Sequence, residues 1–270
     1  MRIHHLNCGT MNMPGYPMVA HVFLLETDRG LVLVDSGFGL HDIENPKLRV
    51  GPMRHVIRPV FDPDETAVRQ IARLGFRPND VRHIVLTHLD MDHAGGIADF
   101  PNARIHTTAA ELLGAVVAPN IRARTRYRAA QFTHGPTWIE HTPDGEAWFG
   151  FAAAKELTSI SPGLVLVSLP GHSPGHACVA VDTDGGWLLH AGDAFYHWGA
   201  LGGPAPVPPQ VKLMERVAAT NFNRLVANQR RLAELHHGTE SVRVISAHDP
   251  ADLIALTKHA ANNEESGVMR

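Results

Sequence analysis

The sequence predicts an α+β fold in which two stacked sheets carry helices on their outer faces. Short apolar runs gather in two groups, helical segments fall among them, and no simple βαβ repeat links them. Residues 19–25 and 31–34 are apolar runs joined by Glu26-Thr27-Asp28-Arg29-Gly30, which reads as a hairpin turning at Asp28-Arg29-Gly30. Residues 64–74 read as a helix: Asp64 is the expected N-cap, Ala67, Val68, Ile71 and Leu74 form the apolar stripe, and Gly75 stops it. Ile84-Val85-Leu86 is a strand, 103–106 is another, and 108–117 is a helix opened by a Thr108 cap. Residues 118–156, interrupted by Pro119, Pro136 and Pro143, read as an insertion or lid. Strands return at 163–169, 177–182 and 187–190. A proline-rich loop, 202–209, precedes a long helix over 211–237, a strand at 242–246 and a closing helix at 250–259. No boundary divides the chain, so 1–270 is expected to be a single domain.

Composition narrows the function. A hydrophobic content of 44% with 19% charged residues is ordinary for a globular protein, and the length suffices for a sizeable core. The net charge of −3 gives no electrostatic reason to expect nucleic acid or an anionic membrane. Cys8 and Cys178 are the only cysteines, which excludes a disulfide framework and a thiolate zinc knuckle. The first residues lack an apolar signal segment, and no apolar run approaches the ~18 residues of a membrane span, so a cytoplasmic protein is expected. Histidine is the outlier, with 19 in the chain, which makes spacing more informative than any one imidazole.

The most informative run is His88-Leu89-Asp90-Met91-Asp92-His93, directly after the apolar Ile84-Val85-Leu86 and before Ala94-Gly95-Gly96. Imidazoles beside carboxylates are what zinc, iron and manganese coordinate. The run is expected on a turn, with His88 and Asp90 reaching one point and Asp92 and His93 a second. Three later segments repeat one arrangement, a strand end followed by a metal-competent side chain. They are Leu169-Pro170-Gly171-His172, Leu189-His190-Ala191-Gly192-Asp193 and Ser246-Ala247-His248.

This ordered set resembles the metallo-β-lactamase-fold hydrolases, whose signature is H-x-H-x-D-H, a later G-H-x-x-G-H, an Asp and a final His. Here the second element is Gly171-His172-Ser173-Pro174-Gly175-His176, and Asp35-Ser36-Gly37 matches the family's early D-[ST]-G turn. The resemblance implies an αββα sandwich with two divalent metals, zinc foremost. It implies His88, Asp90 and His172 on one metal, Asp92, His93 and His248 on the other, and Asp193 bridging them. His176 is then expected to orient the loop. Asp90 departs from the pattern, since a histidine is usual there; the carboxylate is a harder donor that makes iron or manganese more competitive.

Within the superfamily, the passages Leu74-Gly75-Phe76-Arg77-Pro78-Asn79-Asp80-Val81 and Phe100-Pro101-Asn102-Ala103 resemble the N-acyl-homoserine-lactone lactonase branch, and Tyr196 stands three residues after Asp193, as a substrate-contacting tyrosine does there. The resemblance implies hydrolysis of a lactone or other carboxylic ester by a metal-bridged hydroxide. Tyr196 would donate to the oxyanion and Asp92 would pass a proton to the leaving group. A thioesterase resembling glyoxalase II is the hydrolase alternative, and an iron-dependent oxidoreductase the alternative from another class. The expected partner is a small molecule, with no nucleic acid and no membrane; a homodimer stays open.

Asp35 is expected to accept hydrogen bonds within its turn, and Asp249 either to cap the last helix or to orient His93 or His248. Arg122, Arg124, Arg126 and Arg128 alternate, as an anion-binding wall or, preferably, as a solvated face. Phe132, Trp138, Trp148, Phe149 and Phe151 suit either an acyl pocket or a satellite core.

Overall fold

The structure is a computed structural model that describes residues 1–118, 120–143, 145 and 147–265. Eleven strands among these residues form two mixed sheets. The first sheet contains β1 (Arg2–Met11), β2 (Met18–Thr27), β3 (Gly30–Val34), β4 (Val81–Val85), β5 (Arg104–Thr108) and β6 (Thr137–His141), in that order. Its first three strands are antiparallel neighbours, whereas β3 to β6 run parallel. The second sheet contains β7 (Ala154–Glu156), β8 (Leu164–Ser168), β9 (Ala177–Thr183), β10 (Gly186–His190) and β11 (Val242–Ile245). Its order is β11-β10-β9-β8-β7, antiparallel except for the β10–β11 pair.

The period-2 alternation of strand side chains explains the layering. Phe23, Leu25, Val32, Val34 and Val85 point inward from the first sheet onto Leu164, Leu166, Val179, Val181 and Ile245 of the second. Their neighbours Leu24, Leu33, Ile84 and Ile105 face outward, onto the helix Ala67–Arg73 through Ala67 and Ile71. Val165, Val167, Leu189 and Val244 likewise face Leu232 and Leu235 of the helix Phe222–Gly238. Each fully buried Val, Leu or Phe contributes roughly 1.5–3 kcal/mol, so these layers supply the main stabilisation.

Several local expectations change. The helix expected over 64–74 begins only at Ala67 after a 3₁₀ turn, Pro63–Glu65; Asp64 caps nothing, because Asp62 accepts from the Asp64 N–H. Leu74 is exposed rather than part of the stripe. The helix expected over 211–237 is two helices, Pro209–Ala218 and Phe222–Gly238, with Asn221 capping the second through the Arg224 N–H. The break has a use. The Thr220 and Asn221 N–H groups donate to the carbonyls of His172 and Gly171, pinning the loop after β8. Strands β1, β6 and β7 are additional to the sequence reading, and the last two lie within 118–156, of which Pro119 is outside the described residues. Thr108 caps its helix as expected, accepting from the Glu111 N–H.

Candidate metal centre

Every residue expected at the centre follows the C-terminal end of a strand, and all these ends lie along one edge of the sandwich. Asp35 follows β3, the hexad follows β4, His172 follows β8, Asp193 follows β10 and His248 follows β11. The hexad is not wholly a turn, because Met91–Ala94 forms one helical turn with Asp90 at its N-cap. That turn separates the directions of Asp90 and Asp92.

Two groups of ligand atoms result, each set within 4.8 Å of one another: His88, Asp90, His172 and Asp193, and Asp92, His93 and His248. Asp193 faces both. Its Oδ2 is 3.3 Å from His172 Nε2 and 3.6 Å from His88 Nε2, while its Oδ1 is 3.0 Å from His93 Nε2 and 2.9 Å from His248 Nε2. Asp90 Oδ2 lies 3.0 Å from His172 Nε2 and 3.5 Å from His88 Nε2. Asp92 Oδ2 lies 3.5 Å from His248 Nε2 and 3.8 Å from His93 Nε2.

Outer partners make this arrangement rigid. His93 Nδ1 donates to Asp35 Oδ2 at 2.8 Å, and His248 Nδ1 to the Val19 carbonyl at 2.7 Å. His88 Nδ1 is 3.0 Å from Thr87 Oγ1, whose own hydroxyl donates to Asp35. These three imidazoles thereby present Nε2 to the centre, as hydrogen bonds to the far nitrogen of metal-binding histidines commonly arrange, and His172 presents Nε2 as well. His176 holds the Asp193 backbone: its Nε2 accepts the Asp193 N–H at 3.0 Å while Nδ1 faces the Leu169 carbonyl at 3.1 Å. The network assigns the proton to Nδ1. Gly192 is required beside it, because a Cβ there would stand 2.6 Å from His176 Nε2 at a left-handed φ of 53°. Buried Glu111 joins the two ligand loops, accepting from the Leu89 and Gly175 N–H groups and from the Ser173 hydroxyl.

The donor set fits divalent cations. Among the described residues His88 Nε2 and Asp193 Oδ1 are buried and find no hydrogen-bond partner, a costly arrangement in an apolar interior unless a cation takes them up. The charges agree. Burial opposes protonation of His93, yet Asp193, Asp35 and Asp92 outweigh it and hold its pKa well above the usual imidazole value; Asp193 likewise raises His248 against burial. The carboxylates thus draw positive charge to this point, as protons or as metal. For Asp35, burial is outweighed by His93, and the carboxyl is held at about 2.

A sequence profile of the metallo-beta-lactamase superfamily matches residues 15–210. The chain belongs to the metallo-β-lactamase superfamily. It is similar to the probable metallo-hydrolase Rv2300c of Mycobacterium tuberculosis, at 55% identity over 97% of this chain and 84% of that protein. It is also similar to the N-acyl homoserine lactonase AttM of Azorhizobium caulinodans, at 28% identity over 92% of this chain and 89% of that one. A solved N-acyl homoserine lactone hydrolase, with N-hexanoyl-L-homoserine bound at its catalytic metal centre, shares the fold with a TM-score of 0.67. That match has 22% identity and covers 94% of this chain and 95% of that one. The dizinc quorum-quenching lactonase AidC matches with a TM-score of 0.56 at 19% identity, over 87% and 74% of the two chains.

The remaining candidates separate within this superfamily frame. Tyr196 is buried, with its hydroxyl 3.1 Å from Asp193 Oδ2 and 3.5 Å from His172 Nδ1. Asp35 is expected from the sequence to accept within its own turn; its carboxylate instead takes the Thr87 N–H and hydroxyl and the His93 Nδ1–H, and so orients His93. Asp249 accepts from the Ala251 N–H in the manner of a helix cap. Trp148 and Phe151 pack on the outer face of the second sheet, and Phe132 and Trp138 on that of the first, so these four are core. Phe149 is exposed and stands edge-on to Trp148. Three of the arginines serve backbone carbonyls at the surface: Arg122 those of Val217 and Ala219, Arg124 that of Ala118, Arg128 those of Leu48 and Arg124. Arg126 turns inward instead, and no periodicity distinguishes it from its neighbours. Thr87 and Glu111 were also missed; neither carries a sequence signal, since their roles depend on loops that meet only in space.

Proposed function

We propose that this metallo-hydrolase fold opens a lactone or another carboxylic ester. The observation that carries the reading is Asp193, which offers one oxygen to each ligand group with the Tyr196 hydroxyl beside it. His88, Asp90 and His172 would hold one divalent ion, Asp92, His93 and His248 the second, and Asp193 both. Such a pair supplies Lewis acidity and a water acidic enough to yield hydroxide near neutral pH.

The chain's own groups account for the rest. The Tyr196 hydroxyl, which donates to Asp193 Oδ2 in the absence of substrate, would turn to the carbonyl oxygen, and that hydrogen bond would strengthen as negative charge gathers there. Asp92, with its side chain 14% exposed against 3% for Asp193 and without the guanidinium that occupies Asp90, would take a proton from the attacking water and pass it to the departing alkoxide oxygen. The acyl C–O bond breaks, water contributes its oxygen to the acyl carbon and its proton to the alkoxide, and a lactone leaves as a hydroxy acid, an open ester as acid and alcohol. An apolar cluster adjoins these groups through Met91 and Tyr196: Met11, Met18, Phe38, Val50 and Val211, with Met13, Met53, Phe61 and Met214 partly open. Thioether side chains adapt to varied apolar shapes, which suits an acyl chain. The relatives that act on N-acyl homoserine lactones support the same class.

The test is a panel of N-acyl homoserine lactones, simple lactones, aryl esters and acyl-glutathione thioesters offered to metal-loaded protein. Lactone or ester turnover that outpaces thioester turnover supports the reading. Turnover of thioesters alone, or of none of these, overturns it.

A further inference from the structure

Arg126 brings a full positive charge to the first ligand group. It closes the helix Ile121–Arg126, which Asn120 caps at its start. Its Nε lies 3.0 Å from Asp90 Oδ1, with the two side chains 11% and 14% exposed. Its Nη1 donates to the His172 carbonyl and its Nη2 to the Ala218 carbonyl, both at 2.7 Å, while Nη2 lies 3.2 Å from His172 Nε2. The guanidinium is therefore spent on the protein and leaves no fork for a substrate carboxylate or phosphate.

Asp90 divides its two oxygens. Oδ2 converges with the Nε2 atoms of His88 and His172, and Oδ1 turns to Arg126. We propose that Asp90 and Arg126 act as one unit, a carboxylate ligand whose charge is cancelled from behind. The pair thus offers the first metal an oxygen donor at no net charge. Arg126 is then a positioning residue for that site and sets its affinity. A guanidinium this close to a ligand group is tolerable only while the carboxylate offsets its charge, and a carboxylate only 14% exposed in turn needs the guanidinium. The coupling predicts that neither member can be changed alone without consequence for the other.

The proposal rests on the metal-centre reading and is independent of the substrate. Its test is a double-mutant cycle of D90H, R126Q and D90H/R126Q; glutamine removes the charge but keeps an amide for the neighbouring carbonyls. Zn2+ binding is measured by chelator competition, and thermal unfolding is followed on the metal-free proteins. In D90H the uncompensated guanidinium faces an imidazole and the ion, so the weaker Zn2+ should bind at least about tenfold less tightly. The unfolding midpoint should fall as well. In D90H/R126Q both should return to roughly the parent values, within about threefold for Zn2+. If R126Q changes Zn2+ affinity by the same factor with Asp or His at position 90, and midpoints are additive, the pairing is wrong. Failure of the parent to bind any Zn2+ would overturn this proposal and the metal centre together.

Discussion

The sharpest consequence of the outer network is at Asp35. Its carboxylate receives the His93 Nδ1–H at 2.8 Å, the Thr87 N–H at 2.7 Å and the Thr87 hydroxyl at 2.9 Å, in a buried position with φ of 59°. Asparagine tolerates that left-handed backbone, so Asp35→Asn isolates the charge from the strain. The amide can still accept from the Thr87 N–H, but its NH2 then confronts the His93 N–H, and one charged hydrogen bond is lost. Bonds of that kind contribute about 1.5–3 kcal/mol, which converts to about 13- to 160-fold in an equilibrium constant. That range overlaps the 10–100-fold typical when an outer partner of a metal ligand is removed. Chelator competition on Asp35→Asn should therefore show the ion held by His93 weakened by about that factor, with the other ion less affected. Asp35→Ala should cost more, adding about 1–2 kcal/mol of left-handed strain. Parent-level Zn2+ affinity in Asp35→Asn would refute the orienting role and leave Asp35 only a tie to Thr87.

Two further outcomes follow from other features. Tyr196→Phe should lower kcat on lactones about 100-fold with little change in KM, because the hydroxyl acts as charge develops; equal loss in KM would place Tyr196 in ground-state binding instead. His106 stands in a chain of imidazoles, its Nε2 2.8 Å from His83 Nδ1 and its Nδ1 2.9 Å from His141 Nε2. Burial, then His83 and His141, lowers it to about 3, so the folded state resists a proton that the unfolded state accepts below about 6.5. Its contribution to stability is complete above that value and is lost as pH falls from there towards 3. Urea unfolding of metal-free His106→Phe between pH 6 and 4 should show a shallower loss than the parent, by up to about 1.4 kcal/mol per pH unit. Parallel profiles would remove His106 as the source.

The legible part of this molecule was the part encoded locally. His88 to His93 sit in six consecutive residues, and His172, Asp193 and His248 each follow an apolar run, so ligand chemistry and strand ends appeared together. The buried inward faces of β2, β3, β8 and β9 were legible for the same reason. What escaped depended on tertiary contact. Asp64 has the residue type of a cap, but the 3₁₀ turn Pro63–Glu65 takes it up and the helix starts only at Ala67. The apolar stripe over 211–237 looks continuous, yet the loop carrying His172 takes the Thr220 and Asn221 N–H groups and breaks it. Arg126 shares its pattern with Arg122, Arg124 and Arg128, but a carboxylate in place of a histidine was itself a clue. A largely enclosed carboxylate, such as Asp90 with its side chain 14% exposed, needs a cation somewhere in the chain.

The layering of the sandwich gives the centre a mechanical meaning. His88, Asp90, Asp92 and His93 hang from the first sheet, whereas His172, Asp193 and His248 hang from the second. Each ligand group therefore draws on both layers, and an ion in either would rivet them at one edge. Sliding one sheet over the other would tear first at the rivets, whereas the apolar interface between the sheets is non-directional and tolerates slip. With ions in place, the geometry of the centre and resistance to shear would be one property, held by the same seven side chains.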